Sequence, residues 1–192
     1  MDVAELKRQV EYKFAPAPLI AVQALANTFA LEPGEERLRD PESAREWLLV
    51  SDLATEQVRV GDREWRELVE FRAAIRELID ANLDGDPEAA ATRLRALAEA
   101  HPVAVAVGPR GELTLDLEPV SSVDGLISQL IGIVMQAQIE DRWQRLKICA
   151  SDECRWSFYD GSRNRGGTWC KMETCGNVIK NRAYRARRST VR

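Results

Sequence analysis

Four cysteines, Cys149, Cys154, Cys170 and Cys175, fall within 27 residues of a 192-residue chain that has no other cysteine. Their pattern is C-x4-C, fifteen residues, C-x4-C. Two paired knuckles across a short loop supply the four soft ligands that zinc takes in a tetrahedron. The segment holds few aliphatic residues, so burial alone would not fold it, and a metal would supply the missing free energy. In a reducing compartment this spacing favours one zinc over free or redox-active thiols. Four protein ligands close the coordination sphere, so the zinc is expected to be structural rather than catalytic.

Cationic residues surround and follow the cysteines. Residues 147–192 carry eleven Lys and Arg against four acids, a net charge of +7. Residues 1–146 carry 16 against 27, a net of −11, which restores the −4 of the whole chain. An acidic body with a basic tail reads as a contact for nucleic acid or another anionic surface, with a solvated charged end as the alternative. After the last cysteine, Asn177 is a helix cap, and Val178 and Ile179 can pack on the zinc knuckle. Lys180, Arg182, Arg185, Arg187 and Arg188 would then line a short rod whose direction the metal sets. With Arg163, Arg165 and Lys171 of the finger, these are the candidate nucleic-acid contacts. Trp156, Phe158, Tyr159 and Trp169 either form a mini-core around the metal or stack on unpaired bases.

The preceding elements are mostly helical. Asp40 followed by Pro41 starts one helix, with Ala44, Trp47 and Leu48 on its apolar face. A longer helix starts at Asp62, carries Trp65, Leu68, Val69, Ile75, Leu78 and Ile79, and stops at Gly85. Asp86-Pro87 caps the next, which Pro102 ends. Val103, Val105 and Val107 alternate, as do Leu113, Leu115 and Leu117, so a β-hairpin is expected across residues 108–111. Ser121 and Ser122 cap a last helix, through Ile127, Leu130 and Val134 toward Trp143. The expected fold is mainly α with a small β-hairpin (α+β), followed by a treble-clef-like zinc finger with four cysteine ligands.

The chain holds no apolar stretch near the roughly 20 residues a membrane span needs. The N-terminus reads as lacking a signal peptide, and a cytoplasmic location is expected. His101, the single histidine, stands at a helix end and is expected to cap or sit exposed. Neither a phosphate-binding glycine loop nor a nucleophile constellation is present, so no enzymatic activity is expected.

The run Cys149-x4-Cys154, Trp156-Ser157-Phe158-Tyr159-Asp160-x-Ser162-Arg163-Asn164-Arg165, Trp169-Cys170-x-Met172-x2-Cys175-Gly176-Asn177-x2-Lys180 resembles the CGNR zinc finger. That finger usually follows an ABATE domain, in bacterial proteins described as stress-induced transcription regulators. Asn27-Thr28, after an apolar run, looks like the asparagine-threonine signature of that domain, although Gln23-Ala24 stand where an aspartate is usual. Two positions depart from the finger's pattern. Val178 replaces the name-giving arginine, and Gly167-Thr168 replaces an arginine pair.

The resemblance implies residues 1–145 as a helical ABATE-like domain and residues 146–192 as the finger with its basic helix. It implies a DNA-binding transcription regulator whose helical domain senses a small ligand or holds a partner, with a homodimer as one form. An RNA-binding protein is one alternative. A zinc-braced interaction module without nucleic-acid binding is the other, and the two departures point toward it.

Overall fold

The structure, a computed structural model, describes residues 1–30, 34–83 and 86–177. The expected basic helix, with Lys180, Arg182, Arg185, Arg187 and Arg188, lies outside the described residues. Among the described residues six helices carry the fold: α1 (Val3–Val10), α2 (Ile20–Ala26), α3 (Pro41–Val50), α4 (Asp62–Asp80), α5 (Pro87–Ala100) and α6 (Val123–Ile139). Three short antiparallel pairs among the same residues join them. These are β1 (Phe29–Ala30) with β2 (Glu35–Glu36), β3 (Val105–Val107) with β4 (Leu113–Leu115), and β5 (Leu146–Ile148) with β6 (Ser157–Tyr159).

Local chemistry starts the helices where the sequence signals it. The Asp40 carboxylate accepts from Ser43 N at 2.8 Å, and the Ser43 hydroxyl accepts from Asp40 N at 3.0 Å. This reciprocal box, with Pro41 at the first turn, fixes the start of α3. Ser122 Oγ accepts from Gly125 N at 3.1 Å and starts α6. Helix α4 is the central rod. It buries Leu68, Phe71, Ile75 and Ile79 and touches α2, α3, α5, α6 and β5.

Some ends differ from expectation. Helix α4 stops at Asp80, short of residue 85, and the chain turns over Ala81 to Leu83. Helix α6 stops at Ile139, because Asp141 turns left-handed (φ 57°) and Arg142 N bonds back to Ala137 O at 2.8 Å. Trp143 therefore enters the core from a 3-10 turn, Trp143–Arg145. The hairpin is present, with Val105 opposite Leu115 and Val107 opposite Leu113. However, Val105, Val107 and Leu113 stay exposed. The same apolar face rests on α6 through Leu115: an added Cβ at Gly132 would lie 2.8 Å from Leu115 Cδ2 and 3.0 Å from Val103 Cγ1. Helix α2 is buried on every side, so no amphipathic period marks it in the sequence.

One apolar core runs through the body and into the start of the finger. Leu146 and Ile148 of β5 are buried with Ile75, Ile79, Leu126 and Trp143. Asn82 closes the join by donating to the Trp143 and Leu146 carbonyls at 2.9 and 2.8 Å. Replacing Leu146 by Ala should therefore cost the whole fold about 2–5 kcal/mol, read as a lower urea midpoint of the helical circular-dichroism signal. An unchanged midpoint would mean that β5 contributes nothing to the body.

Candidate metal centre

The four cysteines come from two backbone turns and one extended segment around one hairpin. Cys149 follows β5, and its N–H bonds to Trp156 O at 2.8 Å across the β5–β6 pair. The turn between the strands brings back Cys154, whose N–H bonds to Ser151 O at 2.9 Å, before Arg155 takes a positive φ of 52°. An extended segment pinned by Ala150 N to Thr168 O at 3.0 Å presents Cys170, and a π-helical turn, Met172–Gly176, presents Cys175.

All four sulfurs lie within 4.8 Å of one another. Cys154 Sγ is 3.5 Å from Cys170 Sγ, which is 3.6 Å from Cys175 Sγ. A zinc–sulfur bond of about 2.3 Å places tetrahedral sulfurs about 3.8 Å apart, so the residues fit one zinc. Their protonation argues the same way. Hydrogen bonds from Cys154 and Cys170 hold Cys149 down toward the thiolate, and the bond to Cys149 pushes Cys154 up. Four sulfurs this close cannot all carry charge without a cation between them.

Aromatic residues pack around the sulfurs. Trp156 and Phe158 are buried with Cys149 and Cys170, and Tyr12 and Trp169 pack on them. The Tyr12 hydroxyl donates to Cys170 Sγ at 3.6 Å, and Trp156 Nε1 donates to Val10 O at 3.3 Å. Trp156 and Phe158 are thus mini-core residues and are not available to stack on bases.

Two polar clasps hold this unit. In the first, the Asn27 carboxamide accepts from Ser157 N at 2.8 Å and donates to Ser157 O at 2.9 Å. Gln23 joins it, accepting from Ala15 N at 2.7 Å and donating to Lys13 O at 3.1 Å. In the second, Lys147 Nζ lies 3.1 Å from Asp160 Oδ2 and donates to Gly167 O at 3.1 Å. Gly167 N donates to the same carboxylate, and a Cβ at residue 167 would lie 2.8 Å from it. Burial pushes the Asp160 carboxyl up, but hydrogen bonds from Ser162 and Gly167 and the Lys147 ammonium hold it well below the usual range. The sequence marks Asn27 only as part of the Asn27-Thr28 signature and does not show its role, because Ser157 lies 130 residues away; Gln23 reaches the same Ser157 carbonyl at 3.3 Å.

The described cationic candidates separate into two kinds. Arg163 is exposed and has no ion pair among the described residues. Lys171 is exposed, with its ammonium 3.7 Å from the Tyr12 ring centre. Arg165 forms a two-pronged pair with Asp141, and Arg155 pairs with Asp80 at 2.6 Å. His101 caps α5 as expected but is buried, with Nε2 3.2 Å from Glu67 Oε1.

The family model named ABATE, described as "Putative stress-induced transcription regulator", matches residues 21–137. The CGNR zinc finger model matches residues 145–188. No curated protein matches the chain.

Metal analysis of protein purified without chelator should give one zinc per chain; near-zero zinc with four freely titrating thiols would refute the site. Asp160→Asn should cost about 3–5 kcal/mol at pH 7, since it leaves the Lys147 charge buried without its partner. The folded-state pKa of Asp160 lies below the unfolded value of about 3.9. The stabilisation is therefore complete above that value and is lost as pH falls through the lower folded pKa. The gap between native and Asp160→Asn unfolding midpoints should accordingly narrow below about pH 4. A gap independent of pH would mean that the ion pair is not the source.

Proposed function

The chain belongs to the ABATE family and ends in a CGNR zinc finger, and on that premise we propose that it regulates transcription by binding DNA through the finger. The observation that carries this reading is the distribution of charge around the metal. Arg163 and Lys171 of the finger are both exposed, and in the sequence the residues after the last cysteine add Lys180, Arg182, Arg185, Arg187 and Arg188. Cationic side chains projecting from a metal-braced frame suit a phosphate backbone. The acidic body would lie away from the duplex, which repels it.

In this reading the zinc braces the finger and carries no chemistry, because four cysteines leave it no open position. The protein acts in the cytoplasm, where DNA is accessible. No helix among the described residues is long and apolar enough to cross a membrane. A homodimer would use the face where Val105, Leu113, Met135 and Ile139 line one exposed groove. Burial of Trp156 and Phe158 favours duplex contact over the stacking mode of single-strand recognition.

Zinc-loaded full-length protein should bind random-sequence duplex DNA, with affinity falling as salt rises. Changing Arg163 and Lys171 together to Ala should flatten the slope of log affinity against log salt by about 0.9 for each lost phosphate contact. Arg165→Ala should change it less, since Asp141 already neutralises that guanidinium. Absence of binding even at low salt would overturn the reading in favour of a zinc-braced interaction module. Preference for single strands would point to RNA.

A further inference from the structure

A cavity of about 410 Å³ opens where α4 faces β1 and β5. Three guanidiniums line it: Arg72 and Arg76, one turn apart on α4, and Arg155 from the turn of the finger. Two of them are already neutralised. Glu36 grips Arg72 with both oxygens, at 2.6 and 2.7 Å, and Asp80 holds Arg155 at 2.6 Å. Glu77, also on the wall, lies 3.1 Å from Arg93 on α5.

Arg76 is the exception. Among the described residues no carboxylate lies within ion-pair distance of it. Its Nη1 donates to the Ala26 and Phe29 carbonyls at 2.6 and 3.4 Å, and its Nη2 to the Arg155 carbonyl at 2.8 Å. Of its five N–H groups this leaves Nε–H and one Nη2–H without a partner among the described residues, a pair that can grip one carboxylate. Burial, and then the neighbouring Arg155 and Arg72, push its pKa down to about 10. A half-buried guanidinium beside two others, with no ion pair among the described residues and only its three carbonyl bonds and the more distant Asp80 charge to offset desolvation, would be relieved by an incoming anion. The rest of the floor is apolar: Ile148 of β5 and the Phe29 ring, whose centre lies 5.7 Å and 5.8 Å from the Arg72 and Arg76 guanidiniums.

We propose that this cavity binds a small organic anion, with its carboxylate on Arg76 and its apolar body against Phe29 and Ile148. The site joins the two parts of the chain. Arg72 and Arg76 belong to the body, while Arg155 follows the zinc ligand Cys154 directly. An occupant therefore touches the body and the frame of the finger at once, the position an effector of a regulator would need. The assignment is independent of nucleic-acid binding and is tested without it.

The probe is benzoate, titrated into zinc-loaded full-length protein during thermal unfolding, with neutral benzamide and inorganic phosphate as controls. Benzoate should raise the midpoint saturably, by about 3–5 °C for each tenfold above its dissociation constant, with zinc content unchanged. Benzamide should have no effect. Ala73→Glu places a carboxylate on the cavity wall, and Arg76→Gln removes the anchor; each should abolish the benzoate shift. If Arg76→Gln fails to fold, Ala73→Glu still decides the matter. The proposal is overturned if benzoate gives no shift, or if the shift survives in Ala73→Glu. It is equally overturned if phosphate acts and benzoate does not, because the apolar floor would then have no role.

Discussion

The buried carboxamide of Asn27 meets both backbone groups of Ser157, accepting at 2.8 Å and donating at 2.9 Å. β6 has only three residues, and a lone hairpin of that length is marginal in water. One edge of β6 pairs with β5, and its other backbone groups face the body. There Asn27 and Lys13, whose carbonyl accepts from Tyr159 N at 2.8 Å, take the place of a third strand. Without these bonds the backbone of Ser157 would be buried and unpaired, which costs more than an ordinary hydrogen bond returns.

That clasp decides where the metal sits. The strands it holds carry Cys149 at one end and aim Trp156 and Phe158 at the sulfurs. Tyr12, from the segment after α1, closes the same small core and donates to Cys170. The finger is thus assembled from both ends of the described chain. Zinc supplies free energy that so few apolar residues could not, and the body supplies half of the surface they pack on.

Charge follows the same logic of partnership. The cysteine-bearing tail is strongly basic as a string of residues, yet three of its described cations are spent internally. Lys147 is buried on Asp160, Arg155 meets Asp80, and Arg165 meets Asp141. Two of those acids belong to the body, so part of its negative charge holds the finger in place. The cationic surface left for a partner is narrower than the composition suggests, and Arg163 and Lys171 are its described members.

What the sequence determined by itself is local. Cysteine spacing named the metal, since four soft ligands within one short segment have few other uses. Caps and apolar periods placed α3, α5 and the starts of α4 and α6, because a capping side chain acts within one turn and amphipathic faces repeat every three or four residues. Valine and leucine alternation placed β3 and β4 but not how much of their apolar face is covered, since Leu115 and Val103 meet α6 at Gly132 while Val105, Val107 and Leu113 stay exposed. Tertiary structure alone decided the rest. Helix α2, buried on all sides, has no period to read, and a short helix needs its neighbours to exist. The roles of Asn27, Lys147 and Asp160 appear only when folding removes water and leaves each of them partners from distant parts of the chain. Nothing in the sequence sets Arg76 apart, and only the walls around it turn its charge into a candidate site.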